Sequence, residues 1–160
     1  MINFEFVASK LLDVCVSLWL RVYGDRIDLE EVDVGSGCRK KFSKKKVTVT
    51  MLYNYLLTEC KCLDVEDYCQ LYILLDISEF LLPNRNGTVF VSLFKIVDDL
   101  TSLVKYNWGG VVYEYLVGSL CNASVVLKKQ LHRKHFYVVG CVYLLQVSKF
   151  VFLEFYVVAF

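Results

Sequence analysis

The stretch Tyr106-Asn107-Trp108-Gly109-Gly110 decides the fold, because helical patterns lead up to it and continue after it. Asn107 is a good N-cap, since its side-chain oxygen can accept hydrogen bonds from the unpaired backbone N–H groups of the next turn. Trp108 then takes the first helical position, and the two glycines allow another backbone to come close. The stretch predicts a corner before a helix, with Trp108 as a buried aromatic anchor.

Apolar residues recur at helical spacing on both sides of this corner. The helix that follows the N-cap Asp64 is apolar nearly all round, which predicts that it is buried. The predicted helices cover residues 4–23, 64–81, 93–104 and 111–121, and a last one starts at about Tyr137.

Residues 27–49 are the ambiguous part of the chain. Residues 27–34 alternate loosely, and Val47-Thr48-Val49-Thr50 has the composition of a strand, although a short helical pattern follows it. One short strand or hairpin near 27–49 is therefore an alternative to helix there. The predicted fold class is mainly α, a single compact multi-helix domain with a basic loop.

The chain of 160 residues suits one domain, and 56% of it is hydrophobic. This apolar excess favours either a fragment of a longer protein or membrane contact. The most apolar stretch, 136–160, contains Lys149 and Glu154, and each charge costs about 2.5–3.5 kcal/mol at the centre of a membrane span. We therefore expect no membrane segment. The predicted segments are 1–34 (helical), 35–46 (basic loop), 47–146 (main helical region) and 147–160 (apolar tail).

The net charge of +1 conceals a basic run, in which six of the eighteen basic residues lie within eight positions. Such a run is typical of a nuclear import signal or of a patch that binds nucleic-acid phosphates, and equally of a solvated loop. Phe42 is the only aromatic residue within it, so a platform for base stacking is not supported. The basic run consists of Arg39, Lys40, Lys41, Lys44, Lys45 and Lys46.

The seven cysteines indicate reduced thiols in the nucleus or cytosol, because their number is odd and no secretory segment precedes them. Cys60-Lys61-Cys62 with Cys69 and either His132 or His135 could be read as zinc ligands. The Cys-x-Cys spacing is poor for structural zinc, so we expect buried thiols and no metal or cofactor.

The acid pair Asp98-Asp99 is the most obvious candidate for chemistry, and it is weak. Adjacent helical residues point about 100° apart, so the two carboxylates should not share a site. A salt bridge or a cap on a neighbouring helix is the expected role. Gly109-Gly110 lacks the spacing of a phosphate loop. No set of acid, base and nucleophile can be placed, so neither an enzyme nor a small-molecule substrate is predicted.

The order of several motifs resembles the aminotransferase-like plant mobile domain family. These are Phe80–Gly87, Val97-Asp98-Asp99-Leu100, Tyr106-Asn107-Trp108-Gly109, Tyr115–Ser124 and Val139–Gln146. A related plant domain of unknown function, found beside protease domains in transposons, ranks second. The resemblance covers about 47–146 and implies a mostly helical, transposon-derived nuclear protein that acts in gene or transposon silencing. It makes Asp98, Asp99, Tyr106, Asn107, Trp108 and Gly109 structural family residues, while no lysine can be assigned to pyridoxal chemistry.

Two functions follow as expectations. The first is a non-catalytic helical interaction module whose partners are other proteins of a nuclear assembly. The alternative is a nucleic-acid-associated accessory domain that binds phosphates through the 39–46 loop. Salt dependence separates the two, because phosphate contacts weaken steeply as salt rises.

Overall fold

The computed structural model describes residues 15, 18–31, 35–42, 46–128, 138–141 and 143. Their fold is mainly helical, as the sequence predicts. A π-helical turn, Ile77–Leu81, continues directly from α3, and a 3₁₀ helix, Leu100–Lys105, follows α4. The α-helices are α1 (Gly37–Lys40), α2 (Val49–Glu59), α3 (Val65–Asp76), α4 (Val91–Val97) and α5 (Trp108–Lys128).

Contacts divide the chain into two compact units, and the larger described part belongs to the unit Asp25–Tyr106. In this unit α3 contacts α2 and α4, and α1 contacts α4 and α3. The short helix α4 is central, because five of its seven residues are buried. Core side chains without measurable exposure are Leu52, Leu71, Leu74, Leu82, Leu93, Phe94 and Val97.

The sequence left a strand or hairpin near 27–49 as an alternative. In the structure, Thr48 forms a single antiparallel bridge with Thr88. No strand is formed by the described residues of that stretch. The Val89 amide donates to the Val47 carbonyl at 2.9 Å, but α2 begins immediately afterwards at Val49. Thr48 is the reason, because its hydroxyl accepts from the Met51 amide at 3.2 Å and caps the helix. The β-branched residues Val47–Thr50 therefore lie at the start of a helix and not in a strand.

The helix predicted over 93–104 is interrupted at the acid pair. α4 ends at Val97, and Asp99 has an extended backbone (φ −122°, ψ 93°) before the 3₁₀ helix starts. The apolar stripe is continuous in sequence, but the two aspartates are used as caps, which stops the helix. The predicted single helix is therefore wrong at this point.

The corner at Asn107–Gly110 belongs to the other unit, Met1–Gly24 with Asn107–Phe160. Asn107 Oδ1 accepts from the Gly110 amide at 2.8 Å, and α5 begins at Trp108, which is 9% exposed. The Gly109 amide donates to the Arg21 carbonyl at 2.9 Å. A Cβ at Gly109 would lie 2.8 Å from that carbonyl oxygen, so only glycine allows the approach. The N-cap, the buried Trp108 and the close backbone contact are all confirmed.

The first predicted helix ends earlier than expected. Cys15 and Leu18 are helical, Trp19 has a left-handed backbone (φ 53°), and the Leu20 amide donates to the Cys15 carbonyl at 2.8 Å. This six-to-one hydrogen bond is the mark of a Schellman turn, so the helix stops at Trp19 and not at Gly24. Residues 4–14, the helix expected from about Tyr137 and the 147–160 tail lie outside the described residues, apart from 138–141 and 143.

Candidate interaction surface

Helix α3 begins at a well-formed cap. Asp64 accepts from the Asp67 amide at 2.7 Å, and Glu66 and Asp67 fill the first turn, where the helix dipole favours negative charge. One face of α3 is buried through Gln70, Leu71, Leu74 and Leu75. The cap and the buried leucines fix which face of the helix remains at the surface.

The opposite face of α3 exposes three apolar or aromatic side chains. Val65 is 81% exposed, Tyr68 39% and Tyr72 48%, and the two tyrosine rings stack with centroids 6.2 Å apart and planes 16° from parallel. We call Val65, Tyr68 and Tyr72 the tyrosine face. The expectation that this helix is buried all round is wrong, because its packing partners α2 and α4 leave one side open.

The tyrosine face lies in a segment that carries only negative charge. Residues 62–84 contain five carboxylates and no Lys or Arg. Asp67 forms an ion pair with Lys41, while Glu66, Asp76 and Glu79 form no ion pair with any residue that the structure describes. At about 100° per residue, Asp76 points within roughly 40° of Val65 and Tyr72 around the helix axis. The exposed face of α3 is therefore both aromatic and acidic.

The basic run starts in a helix instead of an irregular loop. Ser36 Oγ caps α1 by accepting from the Arg39 amide at 3.2 Å. The Arg39 guanidinium lies 5.3 Å from the centre of the Phe94 ring, and Lys41 is paired with Asp67. These two cations of the run thus have roles within the fold.

Of the remaining cations in the run, Lys40 and Lys46 are exposed, and Lys44 and Lys45 lie outside the described residues. Phe42 contacts Tyr55 and Phe94, with ring centroids 5.1 and 6.2 Å away. Since Phe42 belongs to this aromatic cluster, it does not stand out as a stacking platform.

Asp98 caps α1 from the far end of α4. Its two carboxylate oxygens accept from the Gly37 amide at 2.8 Å and the Cys38 amide at 2.9 Å. Burial acts to raise the pKa of Asp98, but the Cys38 and Gly37 amides and the Ser36 hydroxyl outweigh it and hold the pKa below its ordinary value. The expected role as a cap on a neighbouring helix is confirmed for Asp98.

Asp99 has a separate partner set. It accepts from the Thr101 hydroxyl at 2.6 Å and the Thr101 amide at 3.0 Å, which caps the 3₁₀ helix, and the hydroxyl contact lowers the pKa of Asp99. The two carboxylates therefore do not converge on one site, as expected. The reason is different from the expected one, because Asp99 has an extended backbone and each carboxylate caps its own helix.

Cys38 is held in a buried polar network. Its thiol donates to Gln70 Oε1 at 2.8 Å, and Gln70 Nε2 donates to the Asp98 carbonyl at 3.0 Å. Burial, reinforced by Asp98, raises the pKa of Cys38 to about 12. A thiol that stays protonated at neutral pH is not a nucleophile, so this network positions α1 against α3 and α4.

None of the seven cysteines forms a disulfide. Cys15, Cys38 and Cys141 are buried, but Cys60, Cys62 and Cys121 are exposed, so the expectation of buried thiols fails for these three. Within the described residues, no group of three or more His, Cys, Asp and Glu side chains is arranged to hold a metal ion. His132 and His135 lie outside those residues.

A cleft of about 270 Å³ lies between the 29–31 loop and α4. Glu30 and Glu31 line it together with Arg39 and Lys46, above an apolar floor that includes Phe94. Charges of both signs share this cleft, and the part of its lining that the structure describes contains neither histidine nor cysteine. The cleft therefore has no clear preference for an anion. Separately, among the helices in the described ranges, none has the length and hydropathy of a membrane span.

These features define a mainly helical domain in which the exposed face of α3 is the most distinctive surface. The chain belongs to a family described as a domain of unknown function (DUF8566), whose sequence model matches residues 12–146. No curated protein and no solved structure matches the chain.

The resemblance to the aminotransferase-like plant mobile domain family is wrong, because the matching family is a different one. The motifs that carried the resemblance have local structural explanations. Val97–Leu100 contains two helix caps, and Asn107–Gly109 is a capped corner. Helix caps and capped corners occur in many helical folds, so their order along the chain did not identify the family. The transposon origin and the silencing role rested on that resemblance and lose their support.

The tyrosine face was missed from the sequence. Its signal is present, because Val65, Tyr68 and Tyr72 are spaced three and four residues apart in a stretch without Lys or Arg. Apolar residues at the alternate positions of the same helix concealed it, since the pattern alone did not show which side faces the core.

Proposed function

We propose that the chain is a non-catalytic helical interaction module that binds a partner protein through the tyrosine face. The observation that carries the proposal is the exposure of Val65, Tyr68 and Tyr72 on one side of a helix whose other side is in the core. A single exposed apolar residue is ordinary, but several on one face are typical of a contact surface.

The stacked tyrosines are suited to binding because their side chains are already partly ordered, so they lose little conformational entropy when a partner binds. Tyr68 and Tyr72 already stack on each other, which restricts their side-chain rotation before a partner arrives. Tyrosine offers a large apolar ring and a hydroxyl that stays hydrogen-bonded to water or partner, and it is enriched among the residues that dominate binding energy.

The non-catalytic part of the proposal is supported by the state of the reactive groups. The Cys38 thiol is buried with its pKa raised, and the Asp98 and Asp99 carboxylates are engaged by separate helix ends. The groups that a sequence search singles out for chemistry are thus used to hold the fold.

The test uses a photo-crosslinking amino acid placed at position 72 of the full chain in extract from the source cells. The captured protein is identified, purified and titrated against the wild-type chain. We expect Tyr72→Ser to weaken that binding by about tenfold or more, the usual effect of losing a central aromatic contact. Tyr53→Ser is the matched control, because Tyr53 is 53% exposed on α2. Equal binding by the Tyr72 variant and wild type would refute the proposal.

A second candidate is binding of nucleic-acid phosphates through the basic run, and the exposure of Lys40 and Lys46 favours it. The engagement of Arg39 with Phe94 and of Lys41 with Asp67 counts against it. Binding of a labelled DNA oligonucleotide is measured over a range of salt concentrations. Replacement of Lys40 and Lys46 by Ala should reduce the salt slope by about one to two units if both contact phosphate. An unchanged slope would remove this candidate.

A further inference from the structure

We infer that the tyrosine face takes a basic amphipathic helix of the partner protein, an inference that rests on the proposed function. Charge carries it. Residues 62–84 hold five carboxylates and no Lys or Arg of their own. Lys41 compensates Asp67, but Glu66, Asp76 and Glu79 form no ion pair with any residue that the structure describes. A partner that supplies cations relieves this repulsion and gains charge complementarity.

The positions of the acidic side chains set the pattern that the partner needs. Glu66 and Asp76 are ten residues apart, which is about 15 Å along a helix axis. Along the axis the tyrosine rings lie between them, but around the axis Asp76 points roughly 40° from Tyr72 and Glu66 roughly 120° from it. A partner helix that matches this surface has apolar residues against the rings and Lys or Arg at the end that meets Asp76, while Glu66 lies beside the face and adds longer-range attraction.

The aromatic rings themselves favour cations. A guanidinium or ammonium group is attracted to the face of a tyrosine ring, and the long stems of Lys and Arg also cover apolar surface. The fold uses both kinds of contact internally: Arg39 lies over Phe94, and Lys41 pairs with Asp67 in the first turn of α3. An acidic partner, a nucleic acid or an anionic membrane surface would instead be repelled by Glu66 and Asp76.

The experiment uses two labelled model peptides of about fourteen residues, four turns of helix. One contains only Leu and Lys in an amphipathic order, and the other has Glu at every Lys position. Fluorescence anisotropy with the full chain should show binding of the Lys peptide only, and the binding should weaken as salt rises from about 50 to 500 mM. Comparable binding of the Glu peptide, or no binding of the Lys peptide, overturns the inference.

Variants separate the contribution of charge from that of the rings. Glu66→Gln with Asp76→Asn should weaken the Lys peptide roughly three- to tenfold and flatten the salt dependence, since exposed ion pairs are individually weak. Tyr72→Ser should weaken it about tenfold or more. Tyr53→Ser should leave it unchanged, and circular dichroism checks that each variant is folded. An unchanged affinity in the double carboxylate variant also overturns the inference.

Different results would refute the basic-helix inference and the proposed interaction module. If the crosslinked partner depends on Tyr72 but contacts it through a segment without Lys or Arg, the basic-helix inference falls and the interaction module stands. If that partner binds the Tyr72→Ser chain as well as wild type, the proposed function falls.

Discussion

Replacing Asp98 tests how the N-terminal end of α1 is held. In the folded chain its carboxylate accepts from the amides of Gly37 and Cys38, sixty-one and sixty residues earlier in the sequence. Asp98→Ala removes both acceptors at once. Because α1 has only four residues, it has few other hydrogen bonds to hold it. We expect α1 to lose its position against α3 and α4.

The magnitude follows from the two amides. The Gly37 amide is exposed, so water replaces most of its lost partner, and we assign about 1 kcal/mol to it. The Cys38 amide is part-buried and loses a charged acceptor, for which about 1.5–2 kcal/mol is reasonable. The sum of about 2.5–3 kcal/mol corresponds to a fall in Tm of roughly 5–12 °C for a chain of this size.

The pH dependence supplies an independent check. Since the folded-state pKa of Asp98 is lowered, its stabilisation is fully present above the ordinary aspartate pKa of about 3.9 and is lost as pH falls through the lowered value. Urea denaturation of wild type and Asp98→Asn, from neutral pH down to about pH 3, should show a gap in the free energy of unfolding that narrows at the acidic end.

The control is Asp99→Asn, because Asp99 is exposed and caps only the adjacent 3₁₀ helix. We expect it to cost clearly less than Asp98→Ala, because water replaces the contacts of an exposed carboxylate. If Asp98→Ala and Asp99→Asn destabilise equally, or if the Asp98 gap is the same at pH 7 and about pH 3, the capping explanation is refuted.

Three further predictions concern the other unit, and each is measured by chemical denaturation. Trp108→Ala should cost about 3–5 kcal/mol, the range for a large aromatic truncated in a core, and an unchanged midpoint would contradict its role as anchor. Gly109→Ala should cost about 1–3 kcal/mol or more, because the new Cβ overlaps the Cys15 thiol and also meets the Arg21 carbonyl, whereas Gly118→Ala in the same helix meets nothing and should be neutral or stabilising. Trp19→Gly should stabilise by about 1 kcal/mol, since glycine adopts the left-handed backbone without strain, and a loss of stability would show that Trp19 makes a needed contact.

Helix caps and other local features were predictable from the sequence because they depend on residues that are close together in the chain. The Asn107 cap, the Asp64 cap and the close approach at Gly109 each depend on residues within a few positions or on the absence of a Cβ. The mainly helical fold class follows from apolar spacing in the same way. Trp108 was predictable as a core residue because it combines a large ring with the first position of an apolar helix.

Long-range partnerships were not predictable. The apolar stripe through α4 gives no sign that it ends at Val97, since that end is set by Asp98 reaching an amide sixty residues away. The basic run likewise reads as a solvated loop until Arg39 and Lys41 are seen against Phe94 and Asp67. A charged residue in sequence does not show whether its partner is water or a distant side chain.

The carboxylates of the unit Asp25–Tyr106 fall into two groups, and the division bears on the proposed surface. Asp64, Asp67 and Asp98 are engaged by a helix end or by Lys41, so the fold itself needs them. Glu66 interacts only with the dipole of the first turn of α3, and Asp76 has no such role. On a helix selected for stability alone, a cation four residues from Asp76 would form an ion pair worth about 0.3–0.5 kcal/mol, yet that position holds the exposed Tyr72. At this place α3 therefore lacks both an ion pair and a polar surface. This arrangement is expected where a partner protein supplies the cations and packs apolar side chains against the tyrosines.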